Sequence, residues 1–260
     1  MPTLPPADPL HLGAAFLAAL LAAAINSVAG GGTLISFPIL VWLGLPSIMA
    51  NATSTVGLWP GSLGSIWGFR RELGRPERRL RLLAWPCLAG GAAGAVLLRA
   101  TSVATFDRIV PFLVLFATGL FAARGVVQRW LLRRQKAGAV GGGRALGPLL
   151  TLAVGVYGGY FGAGMSIMNL SVLGVLGLTD LLEMNALTSL YSLAVNGAAI
   201  ALFAAAGLVR WPVALAMAAG ALLGGYGAAG VARRVGGRIL GRFVVAVGLS
   251  VSAIFFLRAM

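Results

Sequence analysis

The chain has 260 residues, 59% of them hydrophobic and 10% charged, with a mean hydropathy of +0.93 and a formal net charge of +14. Its apolar residues come in long runs that are apolar all round. This indicates an α-helical integral membrane protein and excludes a strand barrel, whose segments of about ten residues would alternate. The positive charge does not point to nucleic acid: it falls in short clusters between apolar runs, without aromatic interleaving or a soluble domain to carry a binding surface.

Met1 to Leu12 holds four prolines and no Lys or Arg and runs straight into an apolar segment, so no cleavable signal peptide is expected there. Ten apolar segments follow: 11–28, 33–45, 49–69, 82–99 and 108–127, then 145–161, 165–178, 185–207, 212–232 and 239–257. The basic stretch "RWLLRRQKAGAVGGGR" divides them five and five. The predicted organisation is therefore a first membrane repeat over 1–127, a basic linker over 128–144 and a second membrane repeat over 145–260. In each half glycines separate the first two segments, the second segment is short, and three long ones follow. The short segments 33–45 and 165–178 would reach roughly 20 Å at 1.5 Å per residue, against a hydrocarbon core of about 30 Å. They cannot cross alone.

The halves also match weakly in sequence and in the same order: "GGGTLISFPIL" (30–40) over "GAGMSIMNLSVL" (162–173), "MANATS" (49–54) over "MNALTS" (184–189), and "GGAAG" (90–94) over "GALLG" (220–224). An internal duplication is the usual build of a secondary transporter. Arginines test its sense. With "RRELGRPERRLR" (70–81) in the cytoplasm, the central cluster Arg124, Arg129, Arg133, Arg134, Lys136 and Arg144 is inside too, as are Arg233, Arg234, Arg238 and Arg242. Each glycine-broken pair then enters and returns on its own side, both termini lie outside, and the two five-segment repeats are inverted.

The glycine breaks carry the chemistry. A helix that stops in mid-membrane leaves backbone groups that are tolerated only against protein or a watery cavity. Gly30, Gly31 and Gly32, and Gly162 with Gly164 around Ala163, allow the turn and a close approach to it. Helices starting at Thr33 and Met165 would present free N–H groups and partial positive charge to the interior, which makes an anion site around Gly31–Thr33 and Gly164–Ser166. The alternative is that the glycines serve only helix packing, the role expected of Gly90, Gly94, Gly220 and Gly224. Asn51, Thr53 and Ser54 open the third segment, and Asn185, Thr188, Ser189, Ser192 and Asn196 share one face of its counterpart. These uncharged groups either line a cavity or bond between helices, and Asn26 and Asn169 either face the cavity or cap loose carbonyls. Tryptophans near segment ends read as interfacial anchors.

Cys87 and His11 each stand alone, and Asp8, Glu72, Glu77, Asp107, Asp180 and Glu183 lie at segment ends or in loops, Asp180 and Glu183 reading as a solvated loop or a helix N-terminus that favours negative charge. No metal site, cofactor or acid–base cluster is therefore expected, and an enzyme is disfavoured.

"AGGGTLISFPIL" with Pro38, the following "LGLP…ANATS", and "GGYFGAGMSIMNLSVLGVLGLTDLLEMNALTS" in the second half resemble the sulfite exporter TauE/SafE (TSUP) permease family over nearly the whole chain. The resemblance implies a multi-pass protein of the bacterial inner membrane that moves small sulfur-containing anions such as sulfite, thiosulfate, sulfoacetate or other organosulfonates. The implied partners are that anion and the lipid bilayer, with a homo-oligomer left open. "GAGM" departs from the pattern: Ala163 replaces a glycine and Met165 stands where the first half has Thr33, so the two helix ends cannot make identical contacts. The alternatives are a passive anion channel and a permease for a non-sulfur organic anion.

Overall fold

A computed structural model describes residues 8–29, 31–68, 70–74, 77–136, 146–178, 180–235 and 237–259, and among these the regular elements are helical. They are α1 (Pro9–Ala29), α2 (Thr33–Trp42), α3 (Ser47–Gly68), a 3-10 turn (Glu72–Gly74), α4 (Arg78–Leu82), α5 (Ala84–Ala100), α6 (Val103–Lys136), α7 (Gly147–Tyr160), α8 (Met165–Val175), α9 (Leu181–Ala205), α10 (Trp211–Val235) and α11 (Gly237–Ala259). Pro9–Asn26, Leu80–Ala100, Val103–Val127 and Leu181–Ala205 are long and apolar enough to cross a membrane. Helices α2 and α8, with 10 and 11 residues, are not. At 1.5 Å per residue they reach only about 15 Å.

Local chemistry explains several ends. Asp8 begins α1 by accepting from the backbone N–H of His11 at 2.8 Å and meeting its Nδ1 at 2.5 Å, contacts that pull the carboxyl below its ordinary range. Asp180 begins α9 by accepting from the N–H groups of Leu182 (2.8 Å) and Glu183 (3.4 Å). Helices α2 and α8 end alike. In "LGLP", Gly44 has φ +89 and Leu45 N–H returns to Leu40 O at 3.1 Å; in "LGLT", Gly177 has φ +93 and Leu178 N–H returns to Leu173 O at 3.0 Å. Both are the left-handed glycine stop in which a 6→1 bond takes up a loose carbonyl.

Helix α6 differs from expectation. It continues to Lys136, past the expected end at 127, because nothing between Gly125 and Lys136 breaks a helix. Arg124 lies within the candidate membrane span Val103–Val127, as the apolar segment 108–127 implied. The linker residues 137–145 lie outside the described residues.

Packing follows the small residues. A Cβ on Gly220 or Gly224 of α10 would overlap the carbonyl oxygens of Phe16 and Leu20 on α1, and a Cβ on Gly90 or Gly94 of α5 would overlap those of Leu152 and Val156 on α7. Backbone thus lies against backbone, the close approach that small-xxx-small spacing permits where lipid removes the hydrophobic drive between helices. Helix α3 joins α10 through Gly57 and Gly61, which face Met217 and Ala221. Helix α9 joins α5 where Gly91 meets Val195, and Tyr191 Oη donates to Leu80 O at 2.6 Å. The result is two three-helix groups, α1/α3/α10 and α5/α7/α9, each built from both halves of the chain. Thr53, near the start of α3, accepts from the N–H of Arg210, just after α9, at 3.0 Å; Asn51 Nδ2 donates to the carbonyl of Tyr160, at the end of α7, also at 3.0 Å. Those contacts bring the N-terminal part of α3 to the end of α7 and to the connection between α9 and α10. Helices α6 and α11 pack side by side, with Gly248 over Thr118 and Ser252 Oγ donating to Pro111 O at 3.0 Å.

Phe37, Phe106, Phe161 and Phe203 fill one buried cluster, and Cys87, Leu173 and Tyr191 a second, so both mix the halves. Leu17, Leu97, Phe112, Leu215 and Leu223 lie outward, an apolar surface suited to lipid. Trp42, Trp67, Trp85 and Trp211 sit at helix ends, 49–71% exposed, in anchoring positions. Trp59 is different: it lies mid-α3, and its Nε1 is buried with no partner among the described residues.

Candidate functional site

The two breaks are left-handed glycine turns. Gly31 has φ +95, Gly162 φ +80 and Gly164 φ +79, a region that side chains with a Cβ enter only at a cost. In the first turn Leu34 N–H bonds to Gly31 O (3.0 Å) and those of Ile35 and Ser36 to Gly32 O (3.0 and 3.1 Å). In the second, Met165 N–H bonds to Gly162 O (3.2 Å), and Ile167 and Met168 N–H to Gly164 O (3.0 and 3.4 Å). Neither α2 nor α8 has a side-chain cap. Among the described residues these turns take up the N–H of neither Thr33 nor Ser166. Met165 is a correction: its N–H, expected free, closes the turn.

Both turns rest on one stretch of α6. A Cβ at Gly31 would lie 2.8 Å from Phe121 Cδ2, and one at Gly164 would lie 3.4 Å from Leu120 Cδ1 and 3.6 Å from the Cα of Ala117. About one helical turn therefore supports both breaks. Arg124, the next turn along, holds its guanidinium 4.5 Å from the centre of the Phe121 ring. Phe161, inside the second break, packs edge-on against Phe37 of α2 at 5.5 Å between ring centres.

Around the second break the carbonyls are already engaged. Asn51 Nδ2 takes Tyr160 O, and Tyr157 Oη donates to Ala163 O at 2.6 Å. Asn51 Oδ1 and both amide atoms of Asn169 are buried with no partner among the described residues. The polar surplus at this break is thus made of N–H groups and side-chain amides, set at the positive end of a short helix.

The sequence-nominated residues divide. Gly30 lies outside the described residues. Gly31, Gly32, Thr33, Gly162, Ala163, Gly164, Met165 and Ser166 form the two turns. Asn51 joins them through Tyr160. Thr53 is held by Arg210 N–H, and Ser54 Oγ lies 2.6 Å from Ser36 Oγ, a buried link between α2 and α3. On α9, Asn185 Nδ2 bonds back to Leu181 O (2.8 Å) and Ser189 Oγ to Asn185 O (2.9 Å). Ser192 and Asn196 are half-buried on that strip, and Thr188 is buried with its hydroxyl unpartnered among the described residues. Asn26 is exposed. Tyr157 and the Phe121–Arg124 pair were not anticipated. The sequence signals were a tyrosine one turn and a half before the break, and an aromatic and a cation three apart on one helix face.

Residues 15–255 match the family model described as Sulfite exporter TauE/SafE. The chain is 32% identical over 211 residues to a "Probable membrane transporter protein" of Haemophilus influenzae, covering 80% of each chain. It is 28% identical over 251 residues to "Probable membrane transporter protein YfcA" of Escherichia coli K12, covering 95% of this chain and 90% of the relative. It is also 26% identical over 243 residues to "Probable membrane transporter protein ORF9" of a Sinorhizobium species, covering 91% and 89%. No solved structure matches it significantly.

Proposed function

Because the chain belongs to the sulfite exporter TauE/SafE family of membrane transporters, we propose that it is a secondary transporter of small sulfur-containing anions, such as sulfite, thiosulfate, sulfoacetate or other organosulfonates. It works in the bacterial inner membrane by alternating access of two inverted repeats, 1–127 and 145–260, joined by the linker 128–144. One observation carries the anion reading: two uncapped short helices begin at glycine turns that meet on the 117–121 stretch of α6. Helix starts aimed at one place concentrate N–H groups and partial positive charge there, and such a place favours an anion. The anion is held by backbone N–H groups around Gly31–Thr33 and those of Gly164 and Ser166, with Asn51, Thr188, Ser192 and Asn196 along its path. No carboxylate is needed.

The two-repeat build is supported by contacts that come in exchanged pairs, α1 with α10 and α5 with α7, α3 with α10 and α9 with α5, α2 with α11 and α8 with α6, and its inverted sense by the arginine clusters. Broken helices meeting between such repeats are the usual site in transporters of this build. The test is counterflow in proteoliposomes preloaded with unlabelled sulfite or sulfoacetate. Trans-stimulated uptake is expected; flux without it makes the protein a channel, and no flux of any sulfur anion removes the substrate class.

A further inference from the structure

We infer that Asn169 is a substrate-coordinating residue, its side-chain amide completing an oxyanion site with the N-terminus of α8. This rests on the anion-transport reading and names the side chain that makes the second break the tighter half of the site. Asn169 is fully buried, and neither Nδ2 nor Oδ1 has a partner among the described residues. Because both atoms are unpaired, the point does not depend on which is nitrogen. A buried polar atom without a partner is costly and persists for a reason.

Architecture is not that reason. Asn169 is the fifth residue of α8, and the fifth residue of α2 is Phe37, equally buried and packed edge-on against Phe161. The same place in the matching short helix is thus filled by hydrocarbon. Position does supply a reason. Side chains on a helix lean toward its N-terminus, so the amide of residue 169 lies over the first turn of α8, where the N–H of Ser166 is outside the turn's bonds and no side chain caps the end. The neighbouring carbonyls of Tyr160 and Ala163 are taken by Asn51 and Tyr157. An anion arriving there meets donors beside backbone carbonyls that are already bonded. Nδ2 can donate to one of its oxygens, while Oδ1 accepts from a hydroxyl or water that the anion brings.

The experiment is a thermal-shift titration of the purified full-length protein with sulfite, thiosulfate and sulfoacetate, in wild type, Asn169→Leu and Asn169→Asp. Leucine replaces unpaired polar atoms with hydrocarbon of similar size, so Asn169→Leu should melt at or above the wild-type temperature while binding at least about tenfold more weakly. Asn169→Asp keeps the shape, adds a negative charge and should lose the shift as well; it decides the matter if the leucine variant does not fold. A wild type that responds to none of the three anions overturns the transport reading and this inference together. A normal shift in either folded variant overturns the inference alone, as does an Asn169→Leu protein that melts lower but binds normally.

Discussion

Replacing Gly31 by alanine should cost more than replacing Gly164, although both are break glycines with positive φ. At either site an L residue held in the left-handed region costs about 1–2 kcal/mol. At Gly31 the added Cβ also comes 2.8 and 3.0 Å from Phe121 Cδ2 and Cε2. That ring cannot swing away freely, since it is 1% exposed and carries the Arg124 guanidinium on its face. Overpacking of this kind adds roughly 1–3 kcal/mol, so Gly31→Ala totals about 2–5 kcal/mol and Gly164→Ala about 1–2, because its nearest contact is an ordinary 3.4 Å. In a chain of this size the first corresponds to a melting temperature lower by roughly 4–9 °C. Adding Phe121→Leu should recover the steric part in the Gly31→Ala background and nothing in the Gly164→Ala background, a coupling that a double-mutant cycle isolates. Melting temperature in detergent and sulfite counterflow are the two readouts. A Gly31→Ala protein as stable and active as wild type, or equal rescue by Phe121→Leu in both backgrounds, would refute the reasoning.

Gly94→Ala and Gly224→Ala push a Cβ into the carbonyls of Val156 and Leu20 and should lower membrane yield sharply, whereas Gly119→Ala, with open space around it, should be neutral or stabilising by up to about 1 kcal/mol through helix propensity. In a Cys87-free background, cysteines at Glu72 and Arg133 should resist an impermeant maleimide added outside intact cells; labelling there reverses the orientation. Asp180→Asn combined with Glu183→Gln should keep sulfite binding and pH-gradient-driven flux, since asparagine caps α9 about as well as aspartate. Loss of gradient-driven accumulation with exchange intact would make these carboxylates coupling residues.

Much of the skeleton was legible because the features that specify it are local. The triple glycine and the Gly-Ala-Gly interrupt the apolar runs, so the starts of α2 and α8 at Thr33 and Met165 fall where the residues put them, whereas their ends do not. Both helices stop at Trp42 and Val175, three residues before the expected segments do, since leucine–glycine pairs occur inside helices here as well as after them. Small residues four apart likewise announce a close helix contact. They do not announce its partner: nothing in "GGAAG" says that its surface is α7 of the other half. Nor was the reach of α6 legible: the apolar run ends near 127, whereas a helix without a breaker continues to Lys136, and Arg124 holds its guanidinium over Phe121.

Side-chain roles were legible only where the alphabet distinguishes them. A serine that bonds across to Ser36, a threonine that accepts from the Arg210 backbone and a serine that bonds back along α9 are written as the same small polar letters. Their partners come from the fold, so a polar strip on a helical wheel is a weak pointer to a cavity. Comparison between the halves is stronger, since it controls for architecture. Where Phe37 and Asn169 occupy the same step of matching helices, packing explains the phenylalanine and leaves the asparagine with both polar atoms unpaired. On the proposed two-repeat build, the informative positions are therefore those where one half keeps hydrocarbon and the other keeps an unsatisfied polar group.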